Sequence, residues 1–190
     1  MQKRALEVLK KYNKGEDRIL HASLVAAVLE YIAQQNGADG EYWGAVGLLH
    51  DVDFEVAPGR HCAENPTLLR REGYDEEFIH AVQSHGYQLR TDVTPCLLME
   101  KMLYVFNELV TLIYDSAMAL PTHSIYDLQP RTVLQNWDVA GFAPNANRTV
   151  IQKGCKMLEM PLEDLVVLGI RGLEQKAVEL NLTGASAREG

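Results

Sequence analysis

The sequence has 190 residues, of which 47% are hydrophobic and 23% charged, a composition typical of one globular domain. Its formal net charge of −8 excludes a surface that binds nucleic acid through a broad positive potential, although it leaves room for a local basic pocket. The N-terminal segment lacks the continuous apolar region of a secretory signal, and no apolar run is long enough for a membrane span. We therefore expect a cytoplasmic protein without a membrane partner.

Apolar residues recur at helical spacing along the chain, which predicts an all-α fold. Turn signals built from Gly, Asn and Pro separate the helices. In chain order the predicted helices cover residues 2–13, 17–36, 39–51, 66–73, 75–86 and 96–120, with three more beginning near Asp127, Pro144 and Pro161. We predict a single domain over residues 1–181, a helical bundle with a C-terminal helical extension, and a flexible tail over 182–190.

Three predicted helices each place one polar side chain on their apolar face. The three are His21 on the second helix, His50 on the third and Asn107 on the helix after Pro95, each aligned with apolar neighbours at helical spacing. One such residue alone is most often a core residue with backbone hydrogen bonds. Three of them on three helices favour a shared site.

Asp51 directly follows His50, and its position at the end of a helix favours a bound cation. A buried carboxylate is costly unless it is paired, and the helix macrodipole disfavours an anion at a C-terminus. The alternative is a solvated helix end. Neutral imidazoles together with a carboxylate form a suitable site for a divalent transition metal, and these ligand types do not choose among such metals.

The segment Gly47-Leu-Leu-His-Asp51, with the isolated His21 before it, resembles the signature of HD-domain metal-dependent phosphohydrolases. The agreement extends over roughly residues 1–180 and follows the order seen in a compact bacterial subfamily of predicted HD hydrolases. The agreeing segments are residues 43–55, His61, Ser84-His85, residues 107–109 and residues 142–148. The resemblance implies an HD-type helical bundle and metal-dependent hydrolysis of a phosphate ester.

The resemblance also implies a ligand set. In that superfamily the pattern His, His-Asp, Asp supplies one metal site, and two intervening histidines can bring in a second metal. The matching positions in this sequence are His21, His50, Asp51, Asn107, His61 and His85. The cofactor implied is a divalent cation, and Mn, Ni, Zn, Mg and Fe all remain compatible. For His61 and His85 the alternative is an exposed loop histidine.

Asn107 departs from the family pattern, because it stands where the last metal-binding Asp is expected. Its carbonyl oxygen has the same reach but no charge, so we expect weaker cation binding. We also expect a mononuclear site, because the remaining negative charge does not favour two cations placed close together. The departure leaves three functions open: a phosphohydrolase, a degenerate ligand-binding protein that kept the fold, and a di-iron oxygenase, which the lost Asp counts against.

Charged residues near the predicted metal helix are candidates for catalysis and substrate binding. Beyond Asp51 itself, Asp53 and Glu55 are candidate general bases or partners that orient a ligating histidine, with a solvated acidic loop as the alternative. Arg60, Lys101 and Arg148 are candidates for binding a phosphate, unless they are surface charges. The expected partner is a small phosphorylated molecule.

The three cysteines, Cys62, Cys96 and Cys155, are odd in number and far apart. This spacing suggests neither a disulfide framework nor a C-x-x-C zinc site. We interpret them as reduced thiols.

Overall fold

The computed structural model describes residues 1–184, and over that range the protein is all-helical, which confirms the predicted fold class. The α-helices are α1 (Gln2–Tyr12), α2 (Glu16–Gln35), α3 (Gly40–Leu49), α4 (Asn65–Arg71), α5 (Glu76–Ser84), α6 (Leu98–Met118), α7 (Pro130–Trp137), α8 (Arg148–Leu158) and α9 (Leu162–Gln175). Short 3₁₀ turns lie at Pro58–Arg60 and Ile125–Asp127.

Helix α2 lies in the middle of the bundle and packs against α3, α6 and α9. Its apolar side chains are buried on nearly all sides, as expected for a helix enclosed by others. The approach of α3 is close because Gly47 faces α2. A Cβ at that position would lie 2.8 Å from the Cα of Ala26, closer than real contacts allow. The glycine therefore sets the distance between the helices that carry His21 and His50.

Helix α3 begins one residue later and ends two residues earlier than predicted. The side chain of Asp39 accepts a hydrogen bond from the backbone of Tyr42 and caps its start. The helix ends at Leu49, so His50 and Asp51 lie in the turn that follows. His50 still has helical backbone angles, and its Nε2 lies 3.5 Å from Asp51 Oδ1.

The C-terminal helices start later than predicted. Helix α8 begins at Arg148 because the side chain of Asn147 accepts hydrogen bonds from two backbone N–H groups of its first turn. After α9, Leu182 is buried and Thr183 pairs with Ser124 in an isolated bridge. The remainder of the predicted tail, residues 185–190, lies outside the described residues. Within residues 1–184, no helix combines the length and apolar character needed to cross a bilayer.

Candidate metal centre

The imidazole rings of three histidines, His50, His61 and His85, are fixed in the same way. In each, Nδ1 hydrogen-bonds to a fixed acceptor: His50 to the carbonyl of Gly47 at 2.7 Å, His85 to the carbonyl of Val82 at 2.6 Å, and His61 to Asp53 Oδ1 at 2.8 Å. Because these acceptors take the Nδ1 proton, the Nε2 atom of each neutral ring carries a lone pair. Each imidazole is thereby set up as an Nε2 ligand.

The three Nε2 atoms converge on one carboxylate oxygen. They lie 3.5 Å (His50), 3.2 Å (His61) and 3.3 Å (His85) from Asp51 Oδ1. None of these contacts has hydrogen-bond alignment, and over residues 1–184 neither His50 Nε2 nor Asp51 Oδ1 has a hydrogen-bond partner, although both are buried. Unpartnered buried polar atoms are rare and costly. A cation between the ring nitrogens and the carboxylate satisfies them together, so the residues fit a metal ion.

His21 and Asn107 complete this group from α2 and α6. His21 Nε2 lies 3.2 Å from Asn107 Oδ1, and its ring centroid is 5.3 Å from that of His50. Ligand atoms of His21, His50 and Asp51 all lie within 4.8 Å of one another. Burial lowers the pKa of His21 to about 4, so the ring is neutral at physiological pH and can donate a lone pair. The six residues predicted as ligands therefore lie in one cluster.

The charges of the cluster are coupled. Burial favours a neutral Asp51, but the neighbouring imidazoles outweigh it and hold the pKa of the carboxyl well below its usual range. Burial also opposes protonation of His61, yet the carboxylates of Asp51 and Asp53 raise its pKa to about 12. A cation and a proton therefore compete for the same ring nitrogen, as is general for histidine ligands.

Cys62 belongs to the cluster, which the sequence interpretation of the cysteines missed. Its Sγ lies 3.4 Å from His85 Nε2, and ligand atoms of His61, Cys62 and His85 lie within 4.8 Å of one another. Burial raises the pKa of the thiol, but His85 and His61 lower it more, to about 7. The one signal in the sequence is that Cys62 directly follows a predicted ligand.

The two acidic residues predicted beside Asp51 have different surroundings. Asp53 is fully buried, and besides His61 it accepts the backbone N–H groups of Glu64 and Asn65, so it orients His61 rather than facing a substrate. Glu55 lies outside the cluster. Its carboxylate accepts the N–H groups of Lys14 and Gly15 before α2. The role predicted for Glu55, as a general base or an orienting partner, stays a prediction, and its observed hydrogen bonds hold the chain before α2.

The three residues predicted to bind phosphate are not in the wall of the cavity beside the cluster. Arg60 is exposed and pairs with Glu64 at 2.6 Å. The guanidinium of Arg148 donates to the carbonyls of residues 142, 143 and 146, which closes the loop before α8. Lys101 is not among the residues that line the cavity beside the cluster. Their roles in binding phosphate stay predictions, and the contacts of Arg60 and Arg148 engage both guanidinium groups within the fold.

A cavity of about 470 Å³ opens beside the cluster, with His21, Asp51, His61 and Asn107 in its wall. Arg18 also lines it, and its guanidinium carbon lies 3.9 Å from the centroid of the Phe54 ring. Sequence reasoning missed Arg18, although it precedes His21 by three residues and so shares its side of α2. The cavity thus joins the candidate metal centre to a cationic side chain.

Two curated proteins match part of the chain. An 81-residue stretch, 42% of the chain, is 32% identical to tRNA (cytidine(56)-2'-O)-methyltransferase of Thermoplasma volcanium and covers 24% of that protein. A 75-residue stretch, 37% of the chain, is 33% identical to ribonuclease Y of Cutibacterium acnes and covers 14% of it. The chain thus spans about a quarter or less of these relatives. No family model and no solved structure matches it. The helical fold and the His/Asp cluster are compatible with an HD-type domain.

Proposed function

We propose that this protein is a metal-dependent phosphohydrolase of the HD type that acts on a small phosphate ester or a nucleotide. The observation that carries the proposal is the convergence of three ring nitrogens on the unpartnered Asp51 Oδ1, in the wall of an open cavity. We assign the cation ligands to His21, His50 and Asp51, with the carbonyl oxygen of Asn107 beside them. A divalent cation bound there polarises a phosphoryl oxygen and lowers the pKa of a water molecule.

The residues around the cation position supply binding and orientation. Asp53 fixes the ring of His61, and the backbone carbonyl of Gly47 fixes that of His50. Arg18 supplies positive charge for a substrate phosphate, with its guanidinium held against Phe54. A cavity of about 470 Å³ is of the size that takes small molecules, and the net charge of −8 disfavours a long nucleic acid.

The name of ribonuclease Y indicates cleavage of phosphodiester bonds in that protein, which is the same broad reaction class. For the present chain we propose only this broad class of reaction, not the substrate of ribonuclease Y. The second candidate function is a ligand-binding protein with a weakened metal centre, and the observation that favours it is the neutral side chain of Asn107 at a ligand position.

The test is phosphate release from p-nitrophenyl phosphate and a panel of nucleoside monophosphates by the purified protein, with Mn²⁺, Ni²⁺, Zn²⁺ or Mg²⁺ added. We expect release that requires a cation, stops with a chelator and is lost in His21→Ala. The matched control is His123→Asn, since His123 is exposed after α6 and has a positive φ of 51° that Asn tolerates. Cation binding without hydrolysis favours the binder, and release unaffected by chelation or by His21→Ala contradicts the proposal.

Arg18→Gln is expected to raise KM for the hydrolysed substrate about 10-fold or more while kcat changes less. A hydrogen bond to a charged group contributes about 1.5–3 kcal/mol, and the substitution removes the guanidinium charge while keeping a polar side chain. Arg60→Gln is the control, because Arg60 pairs with Glu64 at the surface. Steady-state kinetics of the two variants measure this difference. Equal KM values would show that Arg18 does not bind the substrate.

A further inference from the structure

A second group of ligand atoms lies beside Asp51. His61, Cys62 and His85 lie within 4.8 Å of one another, and Cys62 Sγ is 3.4 Å from His85 Nε2. Asp51 Oδ1 adds a fourth atom, 3.2 Å from His61 Nε2 and 3.3 Å from His85 Nε2. Metal bonds of about 2.0–2.3 Å separate the ligand atoms of a tetrahedral site by about 3.3–3.6 Å. The three distances between Cys62 and His85, His61 and Asp51, and His85 and Asp51 therefore agree with such a site.

The local structure holds the thiol in this position. Cys62 lies in the turn after Pro58–Arg60 with a φ of 69°, and its side chain is fully buried. Gly86 makes room for the sulfur, because a Cβ at residue 86 would lie 2.9 Å from Cys62 Sγ. The Nδ1 atoms of His61 and His85 are engaged elsewhere, so Nε2 is the atom that each ring offers to a cation, and binding releases any proton held there.

Cys62 also affects the total charge of the cluster. Asn107 removes one negative charge on the α6 side, and Asp51 alone does not balance two divalent cations. A thiolate at residue 62 adds one negative charge beside His61 and His85. We expected a mononuclear site because the cluster had too little negative charge for two cations. With a thiolate at residue 62, that reason no longer applies.

We propose that Cys62 is a thiolate ligand of a second cation, bound together with His61, His85 and Asp51. The resemblance to HD hydrolases accounts for the two histidines but not for the cysteine. A soft sulfur ligand gives this position a preference for thiophilic divalent ions, zinc above all, over Mg²⁺ and Mn²⁺. Binding forms a metal–sulfur bond and releases the thiol proton to solvent. The inference shares Asp51 with the proposed hydrolase centre but does not require hydrolysis.

The test is titration of the full chain with Co²⁺, followed by absorbance, because a cobalt–thiolate bond produces a charge-transfer band in the near ultraviolet. The double variant Cys96→Ser/Cys155→Ser leaves Cys62 as the sole cysteine, so a band in that protein comes from Cys62 alone. We expect two cobalt ions per chain and an undiminished band. Adding Cys62→Ser should remove the band and one cobalt ion, while His21→Ala should remove a cobalt ion and keep the band.

Gly86→Ala provides a second variant, in which the added methyl group crowds the sulfur and should weaken the band. Gly59→Ala is its control, since no atom lies within 4 Å of a Cβ there. Cobalt uptake without a band in the double variant overturns the inference and leaves the hydrolase proposal standing. A band that survives Cys62→Ser also overturns it. No cobalt uptake overturns both proposals together.

Discussion

Asp51→Asn is expected to abolish cation-dependent hydrolysis and the thermal stabilisation that a cation gives. Asp51 Oδ1 is the atom on which three ring nitrogens converge, so its charge serves every cation position in the cluster. Loss of an outer partner of a metal ligand costs about 10–100-fold in affinity or activity, and loss of this central ligand should cost more. Differential scanning fluorimetry with and without Zn²⁺ or Mn²⁺ measures the stabilisation.

The size of the thermal effect follows from mass action. A cation at 100 times its Kd stabilises the native state by about 2.7 kcal/mol, which for a chain of this size raises the thermal midpoint by roughly 5–10 °C. Wild-type protein should show this rise and Asp51→Asn should not. Asp127→Asn is the control, because it removes the same charge from an exposed turn. An equal rise in Asp51→Asn would show that the cation binds elsewhere.

The parts of the cluster on helices were predictable from the sequence. Helical spacing identifies the inward face of α2 and α6, and His21 and Asn107 are found facing each other at 3.2 Å. His50 follows the apolar face of α3, and the turn after Leu49 brings it to the same point. Periodicity thus gave the position of these side chains, while their role as ligands stays a prediction.

The parts of the cluster in loops were not predictable in the same way. Cys62 lies in a turn with a positive φ, and hydrophobic periodicity does not predict the direction of a side chain in a turn. Its burial depends on the space left by Gly86, which is distant in sequence. The resemblance placed His61 and His85 near the metal but gave no reason to consider the cysteine.

The contacts of the positively charged residues were not predictable for a related reason. A long cationic side chain can reach many partners, and the tertiary structure determines which of them it contacts. Arg148 binds three carbonyls that come together only when the loop before α8 folds. Arg18 faces the cavity instead, in contact with Phe54. Sequence position therefore identifies the charged residues, whereas the folded structure determines which of them lines the cavity.

Asn107→Asp is expected to change thermal stability in opposite directions with and without a cation. Without one, the new carboxylate faces Glu108, whose Oε1 lies 3.5 Å from Asn107 Nδ2, and it lacks the donor that now separates the two oxygens. Repulsion and burial should then lower stability by about 2–3 kcal/mol, or the midpoint by roughly 5–10 °C. With a cation beside His21, the same charge is neutralised at almost unchanged side-chain volume.

Saturating Mn²⁺, Ni²⁺ or Zn²⁺ should therefore restore or exceed the wild-type thermal midpoint in Asn107→Asp. The Kd for the cation should fall about 10-fold or more, because a charged oxygen interacts far more favourably with a dication than a neutral carbonyl does. Asn136→Asp is the matched control. Asn136 is half-buried on α7 and donates to Ser116 Oγ, away from the cluster, so cations should not rescue any loss of stability there. Scanning fluorimetry and calorimetric titration measure both quantities. A lowered midpoint in Asn107→Asp that no cation restores would exclude this position from the metal centre and favour the binding protein over the hydrolase.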